Sequence, residues 1–159
     1  MIRSKVPCTS LASLVGHRRG ADVTASDCHP LTEAFLLENL RLNGLPPMKY
    51  RRGQWGVAAG LLASDVQGTF DLIIGSDLLY ERDADDSLAA FINRHAGPAA
   101  EVWIVDPDRG NRPAFNRAMA GQGFEHRQER LSASVAAGAG NLPGYKGRLL
   151  VYWRGAGAG

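Results

Sequence analysis

The hydrophobic pattern changes period several times along the chain. "FDLIIGSDLLY" at 70–80 has the core "DLIIG", which shows no alternation, as a strand covered on both faces should. "EVWIVDP" at 101–107 reads as a second buried strand. "ADVTASD" at 21–27 and "MKYRRGQW" at 48–55 read as shorter strands, the latter ending near Gly53. Residues 1–6, "MIRSKV", are compatible with a short or degenerate first strand.

Between these runs the period becomes helical. "LTEAFLLENLRLNG" reads as a helix opened by Pro30, closed by Asn43-Gly44 and stopped by Pro46-Pro47. Leu31, Phe35 and Leu42 share one face and Leu36 and Leu40 lie nearly opposite, which predicts packing on two sides. Leu88, Phe91, Ile92 and His95 follow the i, i+3, i+4, i+7 spacing of an inward stripe, so His95 reads as core. A helix over 111–122 turns Phe115, Ala118 and Met119 inward. "FEHRQERLSAS" and "GRLLVYWR" read as a final antiparallel pair, joined by a loop at 136–147. The alternation predicts an α/β fold: a Rossmann-like, mostly parallel sheet with helices on both faces and an antiparallel C-terminal hairpin. Residues 1–154 read as one domain, with 1–10 a degenerate first strand and turn and 155–159 a flexible tail.

Composition narrows the function classes. The chain has 159 residues, 45% hydrophobic and 21% charged, and a net charge of +2. No basic run reaches five residues, so no nucleic-acid partner is expected. No apolar stretch approaches the ~18 residues of a membrane span, so no membrane partner is expected. The two cysteines, Cys8 and Cys28, match no zinc spacing and suggest a reducing compartment, so the expected location is cytoplasmic.

Ligands of open α/β sheets bind beyond the carboxyl ends of the strands. Those ends are Asp27, Gln54-Trp55, Ser76-Asp77 and Asp106-Pro107-Asp108. Asp27 can accept two ribose hydroxyls, or it can cap the helix opening at Pro30. Trp55 can cover an adenine face, or simply pack. Asp77 and Tyr80 stand three apart after the most buried strand. There a carboxylate can hold a cation and a phenol can orient an amine; the alternative is a helix start capped by Asp77. "DPDRG" at 106–110 reads as a loop with Asp side-chain caps rather than a metal site, and no metal is expected. His17, His29 and His126 have no partner at ligand spacing, and no G-x-S-x-G occurs. "GAGNLPG" follows no strand and opens no helix, so it is weak as a phosphate loop.

The stretches "SLASLVGHRRGADVTASDCHPLTEAFLLENLRLNG", "RRGQW", "FDLIIGSDLLY" and "VWIVDPDRGNRPAF" together resemble the seven-β-strand, S-adenosylmethionine-dependent methyltransferases. Within them the chain is most similar to the methyltransferase-like protein-lysine methyltransferases and their bacterial relatives. "DLIIGSDLLY" is the most specific match, because that branch bears an Asp-x-x-Tyr-like element after its fourth strand. The resemblance implies S-adenosylmethionine as cofactor. It implies Asp27 at the ribose, Gln54 and Trp55 flanking the adenine, Ser76 and Asp77 near the amino-acid part, and Tyr80 near the acceptor, with Asp77 and Tyr80 as the catalytic pair. It implies N-methylation of a protein lysine, with small-molecule nitrogen acceptors left open.

One stretch departs from the family pattern. Where that family has a Gly-x-Gly-x-Gly-like turn after its first strand, this chain has Pro7-Cys8-Thr9-Ser10. Each substitution adds a Cβ, and Pro7 removes an N–H donor. Beside the enzyme stands a second reading: a non-catalytic or truncated methyltransferase-fold module that binds a partner protein. A third, an NAD-binding Rossmann domain, shares Asp27 but lacks G-x-G-x-x-G and does not account for "GSDLLY" or the terminal hairpin.

Overall fold

The computed structural model describes residues 2–3, 11–53, 65–80, 85–133 and 145–155. The expected turn at Pro7–Ser10, Gln54 and Trp55, most of the 136–147 loop and the end of the tail lie outside the described residues. The elements run β1 (Ile2–Arg3), α1 (Leu11–Arg18), β2 (Thr24–Asp27), α2 (Thr32–Leu42), β3 (Lys49–Arg52), β4 (Phe70–Ser76), α3 (Ser87–His95), β5 (Ala96–Asp106), α4 (Arg112–Gly121), β6 (Glu125–Ala133) and β7 (Tyr145–Trp153).

One seven-stranded sheet has the order β3-β2-β1-β4-β5-β7-β6. Its first five strands are parallel, and β7 inserts antiparallel between β5 and β6. The chain order reverses direction between β1 and β4. Right-handed crossovers therefore place α1 and α2 on one face and α3 on the other. The two-residue β1 holds the centre: Ile2 pairs with Ala25 on one side and Ile74 on the other.

The core divides accordingly. α3 and α4 press Leu88, Ile92, Phe115 and Met119 onto Val102 and Ile104 of β5 and Leu150 and Tyr152 of β7. The opposite face holds a smaller cluster of Leu14, Ala25, Leu36 and Leu40, with Leu45, Met48 and Tyr50 partly buried against it. His95 lies in the larger core as expected, its Nδ1 2.9 Å from the Gly68 carbonyl and its ring tilted against Phe91.

Local sequence sets the helix ends. Leu45 N–H donates to the Leu40 carbonyl at 2.9 Å and Gly44 N–H to that of Arg41, closing α2 as a Schellman motif. That motif needs a left-handed residue, and Gly44 supplies it at φ 61°. α4 closes in the same way at Gly123, with Phe124 N–H on the Met119 carbonyl.

The two-sided packing expected for α2 is corrected. Leu36 and Leu40 are buried, but Phe35 is 45% exposed, Leu31 53% and Leu42 66%. The stripe is present in the sequence, but no described element lies against it. Among the described residues no helix is long and apolar enough to cross a membrane.

Candidate active site

Register brings the strand-end acids to one edge. Ala25 and Ile74 share Ile2 as partner, so Asp27 and Ser76, each two residues further on, stand level on β2 and β4. With one strand between them the separation is about 10 Å. Ser76 pairs with Val105, which places Asp106 one residue beyond on β5.

Asp27 ends β2 only 2% exposed. Its Oδ1 accepts the His29 N–H at 2.8 Å, which fixes the turn into α2. It does not cap that helix: α2 begins at Thr32 with Leu31 as N-cap and no side-chain cap. The Asp27 carbonyl accepts the Tyr50 hydroxyl at 3.1 Å and the Gly53 N–H at 3.2 Å, tying the ends of β2 and β3 together. Burial pushes the Tyr50 phenol up to about 12, helped by the neighbouring Asp27. Beside this tie lies a cavity of about 600 Å³ lined by His29, Pro30, Tyr50, Arg52 and Asp65 among others. Asp27 is not among the residues that line it.

At the end of β4, Asp77 adopts φ 52°, a left-handed conformation that aspartate tolerates better than most side chains. Its N–H donates to the Val105 carbonyl at 2.8 Å, extending the β4–β5 ladder by one residue. Its carboxylate meets Arg109 in a fork, Nε to Oδ1 at 2.7 Å and Nη2 to Oδ2 at 2.8 Å. Asn111 Nδ2 donates to the Leu79 carbonyl at 2.8 Å. The segment after β4 is thus held from the β5–α4 loop at two points. It is not a helix start: Leu78 and Leu79 are buried in an open loop, Tyr80 is half-buried, and α3 begins only at Ser87. Sequence reasoning missed Arg109 and Asn111, although both lie in a quoted stretch.

"DPDRG" is the capped turn expected. Asp108 N–H donates to Asp106 Oδ2 at 3.1 Å, Asp108 has φ 68°, and Asp108 pairs with Arg112 and Arg148. Arg112 holds the Asp108 carboxyl below the usual range, whereas burial pushes the fully enclosed Asp106 upward. Among the described residues no cluster of three His, Cys, Asp or Glu could hold a metal.

No family model matches the chain. It is 27% identical over 126 residues to the electron transfer flavoprotein beta subunit lysine methyltransferase of Rattus norvegicus, covering 79% of this chain and 44% of that protein. The chain therefore spans less than half the length of the curated relatives it matches. A methyltransferase from Pyrococcus furiosus superposes with a TM-score of 0.66 at 15% identity, over 97% of this chain and 74% of that one. The ribosomal protein L11 methylase of Lactobacillus delbrueckii subsp. bulgaricus gives 0.63 at 20% identity, over 96% and 69%. The chain has the fold of these methyltransferases.

The described residues of this methyltransferase-fold chain fit a nucleoside cofactor in volume and in polar groups. The 600 Å³ cavity lies within the ~300–1,000 Å³ of small-molecule sites and offers the polar groups of His29, Tyr50 and Asp65. The level placement of Asp27 and Ser76 leaves one edge for a ligand to follow from β2 to β4.

Proposed function

We propose that this chain forms the core of an S-adenosylmethionine-dependent methyltransferase that methylates a protein lysine side chain. The clamped Asp77–Tyr80 loop is the observation that carries the reading: a carboxylate and a phenol at the end of β4, held by Arg109 and Asn111. The cofactor supplies a methyl group on a sulfonium, and transfer to an amine needs in-line placement more than acid–base machinery. Asp27 would bind the ribose side, from the carboxyl end of β2. Gln54 and Trp55, following Gly53, would flank the adenine. Ser76 and Asp77 would hold the amino-acid end, with Arg109 fixing the carboxylate and sharing it. Tyr80 would orient a neutral lysine amine by hydrogen bonding or by its ring face. The lysine acceptor is supported by the likeness to the rat and mouse lysine methyltransferases, and a protein substrate follows from it.

Isothermal titration with S-adenosylhomocysteine tests the reading, followed by mass spectrometry of lysine-containing peptides incubated with cofactor. Micromolar binding, weakened in Asp27→Ala and Asp77→Ala, is expected. No heat from a chain shown to be folded would overturn the enzyme reading. The fork between Asp77 and Arg109 favours one competing reading, a non-catalytic module that binds a partner protein, because that carboxylate is already engaged.

A further inference from the structure

The hairpin edge beside the candidate active site carries a concentration of positive charge that the methyl-transfer reading does not use. Arg130 on β6 stands directly opposite Arg148 on β7, and Ser132 opposite Lys146. These two pairs are two residues apart along their strands, so all four side chains face the same side. Like charges directly opposite on neighbouring strands are destabilising. The three cations line a cavity of about 370 Å³ whose wall is completed by Pro107, Asp108, Ser132 and Gly147. One carboxylate answers them: Asp108, shared between Arg112 and Arg148. Among the described residues no carboxylate pairs with Arg130 or Lys146. The connecting stretch 134–144, "SVAAGAGNLPG", brings no charged residue of its own.

The cavity also has a meaningful address. Pro107 and Asp108 follow the carboxyl end of β5, and the next residue, Arg109, grips Asp77. An anion seated here lies beside the loop proposed to receive the methyl acceptor.

From this we infer that the cavity docks an acidic segment of the protein substrate, carrying Asp or Glu near the methylated lysine. The inference rests on the protein-lysine reading above. Two register steps separate the Arg130/Arg148 and Lys146/Ser132 levels, about 6.6 Å along the strands. That is also the spacing of side chains i and i+2 in an extended peptide. Carboxylates on alternate residues therefore meet successive cations, a match that a single phosphate does not offer.

Fluorescence anisotropy of the full chain with labelled acetyl-Glu-Ala-Glu-Ala-Glu-amide tests this. The controls are the Lys-for-Glu version of the peptide and a single-stranded oligonucleotide. The wild type binds the acidic peptide, loses affinity as salt rises, and ignores the basic peptide. Arg130→Glu/Lys146→Glu, both at exposed positions, lowers affinity by at least about tenfold with unchanged circular dichroism. Equal binding by wild type and double variant overturns the inference, as does an oligonucleotide that binds tighter than the peptide. The S-adenosylhomocysteine affinity of the same samples separates the two readings. Product binding without peptide binding removes only the docking site. Peptide binding without product binding removes the methyltransferase and leaves an acidic-peptide surface.

Discussion

Gly75→Ala is the most informative single change in the scaffold. Gly75 lies in β4, one residue before Ser76, and pairs with Ile104 of β5. A Cβ built there falls 2.4 Å from Leu78 Cδ1, 2.9 Å from Ile104 Cδ1 and 3.1 Å from Leu78 Cγ. Carbon atoms in comfortable contact stand about 3.5–4.0 Å apart. The Leu78 tip must therefore retreat by about 1 Å, and Ile104, fully enclosed, leaves no room on its own side. Overpacking of this kind costs about 1–3 kcal/mol. The backbone gains back about 0.5–1 kcal/mol, because glycine in a strand interior is entropically costly relative to alanine. The net expectation is a loss of up to about 2.5 kcal/mol, read as a lower urea midpoint and a melting temperature lower by about 2–4 °C per kcal/mol.

A double-mutant cycle with Leu78→Ala tests the cause rather than the size. Leu78→Ala alone opens a cavity and costs about 2–5 kcal/mol. In that background both Leu78 contacts are gone and only the 2.9 Å approach to Ile104 Cδ1 remains, so the Gly75→Ala penalty falls sharply. The expected coupling is about 1 kcal/mol or more in favour of the double variant. Additivity within about 0.5 kcal/mol would refute the argument that glycine is there to admit Leu78.

Tyr152→Phe removes the hydroxyl that donates to Asn116 Oδ1 at 2.6 Å and strands that acceptor, costing about 0.5–1.5 kcal/mol by urea unfolding. An unchanged midpoint would mean that water replaces the bond. Asp106→Asn tests a pH dependence: burial raises the Asp106 pKa, so its contribution is full below the ordinary carboxylate range and is lost as pH rises through the folded value. The Asn variant therefore gains on the wild type as pH climbs from about 4 to about 8, and the opposite trend would sink the assignment. Amide hydrogen exchange should be slowest in Val102–Ile104 and Leu150–Tyr152, at the centre of the larger core, and faster in Thr24–Asp27 over the smaller one. Equal protection across both halves would contradict the division of the core.

The strands and helices of the C-terminal half were legible because their signals are local. α3 and α4 each bury the stripe their periodicity predicts, and "DLIIG" is a strand as expected, but it is not covered on both faces: Ile73 and Gly75 are buried, whereas Leu72 on the other face is 37% exposed. α2 was misread for a physical reason. Periodicity reports which side chains share a face, but not whether another element lies against that face. Leu36 and Leu40 found the sheet, and Phe35 and Leu42 did not. β5 starts earlier than its apolar run suggests. At its start Phe70 pairs with Ala96, across an irregularity that no hydrophobic pattern records.

The candidate site divides along the same line. Asp27, Ser76 and Asp77 could be read because each closes a strand, and strand ends in such sheets point to one edge. Their partners could not. Arg109 reaches Asp77 across 32 residues of chain, Asn111 reaches Leu79 across the same distance, and Arg148 reaches Asp108 across 40. Nothing local marks an arginine in "DPDRG" as a clamp rather than a solvated charge. The left-handed Asp77 was equally silent, since a positive φ is written in the register of β4 against β5 and not in the residue type. The basic cavity has a weak signature, Arg130 near one strand end and Lys146 and Arg148 near the other. It gains meaning only when antiparallel pairing sets Arg130 against Arg148. A chain of this size can announce its strands one at a time, but the pairing that turns strand ends into a site is a property of register, and register emerges only in the folded sheet.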